Sequence, residues 1–441
     1  MHEFKRRFPA PPADWPRHTL SDIADRITTR NDARNDNVLT ISAEHGLISQ
    51  KEFFSRRVAS DSLTGYYLLE RGDFAYNKSY SSGYPLGAIR RLDRYEKGCV
   101  SPLYICFRPK SNAVDPSFLL YYLDGGALDA SLAEIAKEGV RNHGLLNVGA
   151  ADFFSLEVPL PPPAEQRLVA GILSAVDSEI DRAQALIDKL KQVKQGLLHD
   201  LLTRGIDRSG ELRQPKHAAP HLYKQSSLGW IPNEWSDVQL SSIASLITSG
   251  SRGWASYYSD SGALFIRSQN IRMGFLDFSD RQHVAPPSGN EGERTRLEPR
   301  DLLITITGNS VGNVAAVPSA WKELAFVSQH VGLVRFSDGA QSDFAALYLM
   351  EGSPGNAQLL DAQYGQSKPG LSLENLRALR VPQVPDQERN LILERIRSAQ
   401  STIEKEKQLL RQTRALKLGI AEDLLTGRVR VTPLLDPAPA A

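Results

Sequence analysis

The chain has 441 residues, two cysteines, and 52 Lys and Arg against 51 Asp and Glu, a formal net charge of +1. This length gives room for roughly two to four domains, and the balanced charge excludes a uniformly basic nucleic-acid coat, so positive charge used on an acidic partner has to be clustered or supplied by partner chains. No run approaches the roughly 18 apolar residues of a membrane span, the charged start MHEFKRRFPAPPADWP lacks the apolar stretch of a signal peptide, and Cys99 and Cys106 alone fit a reducing, cytoplasmic setting better than a disulfide framework.

Residues 1–14 are polar and proline-bearing and are expected as an arm. From 15 to 157, short apolar runs alternate with Gly, Asn and Ser. DNVLTISAEHGLIS is expected as two strands around a turn at His45-Gly46, LERGDFAYNKSYSSGYPLGAIRRL as strand, polar loop and strand, SPLYICFRPK as a further strand, and SFLLYYLDG as a short buried helix with Leu119, Tyr122 and Leu123 inside. Together they predict a compact α/β globule.

Residues 158–208 begin with a proline-rich lead-in and continue as one long helix-forming run ending at Arg204-Gly205. Its apolar rhythm is Val169, Leu173, Val176, Ile180, Ala183, Ile187, Leu190, Lys194, Leu197 and Leu201. A 4-3 spacing sustained over four heptads predicts a coiled-coil seam, on a helix about 50 Å long. Residues 209–234 are polar and rich in turn formers and are expected as a linker. His217 and His221 stand four apart there, but Pro220 lies between them and no third ligand is near, so no metal site is expected.

The chain then repeats. LSDIADRI (Leu20–Ile27) returns as LSSIASLI (Leu240–Ile247), LERGD (Leu69–Asp73) as LEPRD (Leu297–Asp301), VSPLYICFR (Val100–Arg108) as VSQHVGLVR (Val327–Arg335), and GVRNHGLL (Gly139–Leu146) as GQSKPGLS (Gly365–Ser372). Residues 235–380 are thus a second globule, 381–431 a second helical region, and 432–441 a tail. The second seam is Ile392, Ile396, Ala399, Ile403, Glu406, Leu410, Thr413, Lys417, Ile420 and Leu424. Without a gap, Val158 matches Val381, Glu165 matches Glu388, and Asp200 to Thr203 match Asp423 to Thr426. The helices match better than the globules, so the helices share a task while the globules differ in theirs.

Catalytic signatures are missing. Gly139 and Gly144 have phosphate-loop spacing, but Leu145 stands where Lys is needed. No dinucleotide-binding glycine pattern follows a strand, no Asn/Asp-Pro-Pro-aromatic tetrapeptide of an adenine methyltransferase occurs, and Pro385-Asp386 is not followed by the Glu-x-Lys of a nuclease strand. A binding or scaffolding protein is expected, not an enzyme.

The duplicated Val-Pro lead-in and the coiled coil ending in Asp-Leu-Leu-Thr resemble the specificity (S) subunits of type I restriction–modification systems, over nearly the whole chain. The resemblance implies an α+β architecture of two α/β target-recognition globules separated by two long helices, which form an antiparallel coiled coil in a pseudo-two-fold duplication. It implies a bipartite, asymmetric double-stranded DNA target, two methyltransferase (modification) subunits on the helices, and motor–nuclease restriction subunits joining them. S-adenosylmethionine and ATP with Mg are then expected on the partners, with no cofactor in this chain. Candidate base-reading residues lie on matching polar loops: Asn77, Lys78, Ser79 and Tyr80 with Arg141, Asn142 and His143 in the first globule, and Thr307, Asn309, Ser310, Gln329, His330, Gln366, Ser367 and Lys368 in the second. In an antiparallel pair Lys194 is expected opposite Ala399 and Lys417 opposite Val176, small neighbours past which each ammonium rises to solvent. The alternative reading is a non-enzymatic scaffold with two globules for ligands other than DNA.

Overall fold

The computed structural model describes residues 12–32, 35–42, 46–54, 62–79, 84–136, 146–286, 292–363 and 370–435. It divides into two compact units: residues 1–184 with 408–441, and residues 185–407. Each holds one globule, the start of one long helix and the end of the other.

The globules are built on one plan. The first has a four-stranded antiparallel sheet in the order Ala24–Ile27, Ile105–Pro109, Phe74–Asn77, Ala88–Arg91. The second repeats that order with Ala244–Ser249, Val331–Phe336, Leu302–Thr305 and Val314–Ala316. The central strands are largely apolar and buried on successive residues, as strands covered on both faces are. The expected buried helix is Pro116–Asp124, started by Asp115, whose carboxylate accepts from Ser117 and Phe118 N–H. The second globule carries an additional sheet in which Ala263–Ile266 runs parallel to Ala325–Val327.

Each globule closes on itself. Arg17–Thr19 pairs antiparallel with Glu157–Pro159, and Ser236–Gln239 with Arg380–Gln383. The repeated Val158 and Val381 are therefore fully buried strand residues, and each long helix starts beside the first strand of its globule. Across the second closure Arg380 holds Asp237 at 2.5 Å.

The long helices span Pro163–Thr203 and Asp386–Leu425, each about 60 Å at 1.5 Å per residue. All twenty seam positions are buried or half-buried. The pairing is antiparallel within each unit: Lys417 meets Asp177 at 2.5 Å in the first, and Lys194 Nζ donates to Gln400 at 2.7 Å in the second. Both lysines thus end on the residue after the small neighbour expected opposite them and do not rise to solvent. The reason is that a half-buried ammonium keeps its hydrogen-bond partners. Burial first, and then neighbouring Lys407, push the Lys194 ammonium below the ordinary lysine range against the pull of Glu404.

The ends of the helices are clamped by buried ion pairs. Glu165, at the start of the first helix, takes Arg430 at 2.7 and 3.1 Å from the segment that follows the second helix. Glu388, at the start of the second, takes Arg213 Nη2 at 2.9 Å and the Ile206 N–H at 2.8 Å from the segment that follows the first. Gly205 (φ +63°) and Gly427 (φ +70°) turn the chain into these clamps. A Cβ at Gly205 would lie 2.2 Å from Glu388 Oε1 and 2.5 Å from Trp235, and one at Gly427 would lie 2.4 Å from Pro12 and 3.0 Å from Trp15.

Residues 209–234, expected as a linker, are ordered. Tyr223–Ser226 and Gly229–Pro232 form a hairpin, and Tyr223 and Ile231 are buried. Among the described residues no helix is long and apolar enough to cross a membrane.

Substituting Gly205→Ala strains a left-handed residue and pries apart the Arg213–Glu388 pair. A stability loss of about 3 kcal/mol is expected in denaturant unfolding. A second outcome concerns acid. Arg380, and after it Ser227, pull the Asp237 carboxyl down to about 2. The folded value lies below the unfolded one, so this stabilisation is complete above pH ~4 and is lost as pH falls from about 4 to about 2. Asp237→Asn should lower stability at neutral pH and flatten that acid limb in urea unfolding followed against pH.

Candidate functional site

In both globules a buried aspartate sets the position of the polar loops. Asp73, 1% exposed, accepts the Glu70 N–H at 2.7 Å and the Arg108 guanidinium at 2.6 and 2.9 Å. Asp301, also 1% exposed, accepts the Glu298 N–H at 2.7 Å and Arg335 at 2.8 and 2.7 Å. These are the aspartates of LERGD and LEPRD and the arginines closing VSPLYICFR and VSQHVGLVR, so the repeated words of the sequence are one bidentate anchor used twice. The anchored turn needs a left-handed residue. The first globule supplies Gly72 (φ +94°) and the second Arg300 (φ +67°), the one non-glycine residue with positive φ among the described residues.

The strand after each anchor ends in the candidate loop. In the first globule the Leu146 N–H donates to the Lys78 carbonyl at 2.9 Å, and Lys78 Nζ donates to the Val148 carbonyl at 3.3 Å. Asn77 Oδ1 accepts the Ser79 N–H at 3.1 Å. In the second the Leu371 N–H donates to the Ile306 carbonyl at 2.8 Å and the Ile306 N–H to the His330 carbonyl at 2.9 Å, with Thr307 bridged to Gly370. The loop after the anchored strand is therefore tied in both globules to the end of the GVRNHGLL and GQSKPGLS words. Thr307, Gln329 and His330 are joined by their side chains. Asn309 is exposed, and Ser310 Oγ donates to the Ser268 carbonyl at 3.4 Å. Tyr80, Arg141, Asn142, His143, Gln366, Ser367 and Lys368 lie outside the described residues.

Two features escape sequence reasoning. Gly250 packs so tightly that a Cβ would lie 2.0 Å from the Val327 carbonyl oxygen and 2.3 Å from the Ser328 carbonyl carbon. The glycines in SGSRG were the available signal. Gly308–Gly312 has the G-x-S-x-G spacing of a hydrolase elbow. It joins strand to antiparallel strand and not strand to helix, so it is a turn, not a nucleophile elbow. Among the described residues no cluster of His, Cys, Asp or Glu is able to hold a metal ion. A cleft of about 240 Å³ in the first unit, lined by Arg90, Arg91, Tyr121, Asp177 and Lys417 among others, has its cations engaged: Arg90 with Asp124, Arg91 with Asp93 and Lys417 with Asp177.

A family model described as the type I restriction modification DNA specificity domain matches residues 61–192. The MjaVIII type I restriction enzyme specificity subunit of Methanocaldococcus jannaschii is 24% identical over 77% of this chain and 76% of its own. The same organism's MjaX specificity subunit, itself named as putative, is 25% identical over 74% and 71%. Residues 61–192 are thus similar to that specificity domain, and most of the chain is similar to type I specificity subunits. A solved chain, from work on complex assembly and conformational transition of the type I R-M system, matches over 95% of this chain and 99% of its own. Its TM-score is 0.56 at 15% identity, a likeness of fold.

On the outer faces of the helices, the chain repeats one more pattern. Leu186 and Val193 are 46% and 56% exposed, and their repeat equivalents Leu409 and Leu416 are 53% and 61% exposed. Residues seven apart share a helix face, so each helix carries the same two-residue apolar patch, pointing away from the seam.

The anchor is open to test by unfolding. Arg335→Met leaves Asp301 buried without its ion and should cost about 3 kcal/mol. The double variant Arg335→Met/Asp301→Asn should recover part of that loss, which calorimetry of the two proteins measures.

Proposed function

We propose that the chain is the non-catalytic DNA sequence-recognition subunit of a type I restriction–modification complex acting in the cytoplasm. It reads a bipartite, asymmetric target, residues 15–157 serving one half-site and 235–380 the other. The observation that carries this reading is a shared frame with unshared loops. The Asp73–Arg108 and Asp301–Arg335 anchors and the backbone ties at Lys78 and Ile306 are alike. The side chains mounted on them differ: Asn77, Lys78 and Ser79 against Thr307, Asn309, Ser310, Gln329 and His330. In sequence the first set is joined by Tyr80, Arg141, Asn142 and His143, and the second by Gln366, Ser367 and Lys368. Such side chains hydrogen-bond to base edges, while the frame fixes where they stand.

Two modification subunits dock on the paired helices, one at Leu186 and Val193 and one at Leu409 and Leu416, and motor–nuclease subunits complete the restriction complex. A partner present in two copies needs the same surface twice, and exposed apolar residues at equivalent positions supply it. S-adenosylmethionine and ATP with Mg are bound by those partners.

Three outcomes test this. The purified chain alone transfers no methyl group to DNA, whereas co-expression with the modification subunit yields a sequence-specific methyltransferase. Exchanging residues 15–157 for the corresponding globule of another family member changes one half-site in modified-base sequencing and leaves the other intact; a change in both refutes the division of labour. The double variant Leu409→Glu/Leu416→Glu retains DNA binding but drops one modification subunit in native mass spectrometry.

A further inference from the structure

The two globules share one more turn and fill it with different chemistry. In the first, Ser101 is followed by Pro102 and Leu103, and the Leu103 N–H donates to Ser101 Oγ at 3.3 Å. In the second, Ser328 is followed by Gln329 and His330, and the His330 N–H donates to Ser328 Oγ at 3.4 Å. Each turn leads into the central strand that carries the anchoring arginine, Ile105–Pro109 or Val331–Phe336. The serine-capped backbone is kept while the two residues after it change from apolar and donor-free to amide and imidazole. Leu103 is 57% exposed, and Gln329 and His330 are also exposed. A position that folds the globule would keep its chemistry. One that distinguishes two half-sites would keep its place and change its chemistry, as this one does.

The side chains of the second turn are wired together. Gln329 Nε2 lies 3.2 Å from His330 Nε2, so the amide donates and that ring nitrogen accepts. The ring proton is then on Nδ1, which faces Thr307 Oγ1 in a second hydrogen bond. One of the two Gln329 N–H groups is used by the imidazole, leaving the other N–H and the amide oxygen to meet a partner. Adenine presents the complement in the major groove: the N7 acceptor beside the N6 amino donor. Guanine presents two acceptors there, which would leave the amide oxygen facing O6.

Resting on the DNA-reading role proposed above, we infer that Gln329 reads an adenine of the second half-site, with His330 as its positioning residue and Thr307 fixing the His330 ring. The arrangement lowers the ordering cost of binding, because the amide is oriented before DNA arrives.

The test starts with the full-length chain and a duplex library to find the bound target, and then replaces each adenine of the second half-site by 7-deazaadenine, which lacks the N7 acceptor. One replacement is expected to weaken binding about tenfold. Gln329→Ala should bind the unmodified duplex about tenfold more weakly and show no further effect of that replacement, with melting temperature and first half-site preference unchanged. His330→Ala should keep the adenine preference in reduced form, because it removes the orientation and not the reader. Selective binding that ignores 7-deazaadenine at every position overturns this inference and leaves the DNA-reading role standing, as does a deaza effect that survives in Gln329→Ala. Absence of any sequence-selective binding, alone or with the modification subunit, overturns both.

Discussion

One buried carboxylate holds each unit together. Glu165 and Glu388 stand at the beginnings of the long helices, 3% and 9% exposed. Each is neutralised by an arginine that the chain delivers only after completing the other helix: Arg430 for Glu165 and Arg213 for Glu388. Taking a carboxylate out of water costs several kcal/mol unless it is paired and hydrogen-bonded, so neither helix start is stable until the end of the other has arrived. The clamps thus couple segments 175 and 265 residues apart in the chain, beyond the reach of local propensity. Glu165, then Asp14, hold the Arg430 guanidinium above its ordinary value, so this clamp keeps its charge at any physiological pH.

The same constraint explains where the globules begin and end. Trp15 and Trp235, nearly or fully buried, sit under Gly427 and Gly205, and the first and last strands of each globule pair beside them. A globule is a closed loop of chain that starts and finishes at the clamp. Its interior sheet is then free to carry any loops that its own anchor, Asp73 with Arg108 or Asp301 with Arg335, is able to support.

The helices and the repeat were legible because periodicity is a property of sequence. Val169 to Leu201 and Ile392 to Leu424 announce a seam whatever the rest of the chain does. The ordered hairpin at 223–232 was not legible, because its fold rests on two buried residues, Tyr223 and Ile231, scattered among turn formers. The lysine partners were missed by one residue, since seam spacing gives the facing level but not which neighbour carries an oxygen; Gln400 and Asp177 do, and Ala399 and Val176 do not. At the loops, sequence matching picked out Thr307, Gln329 and His330, and the structure joins them through hydrogen bonds that no spacing rule encodes. It offered no reason to look at Pro102 and Leu103, because an apolar pair carries no donor to notice. Their role as counterparts emerges only from the shared serine-capped turn.

Arg300 shows what the anchor permits. A left-handed backbone ordinarily confines a site to glycine, as at Gly72, because a Cβ there is disfavoured by about 1 kcal/mol or more. In the second globule Asp301 grips both the turn and Arg335, and the neighbouring residue holds the same conformation as an arginine. Once one buried aspartate determines the turn, residues around it are released from conformational duty. Different side chains then fit beside the loops while the backbone stays where it was.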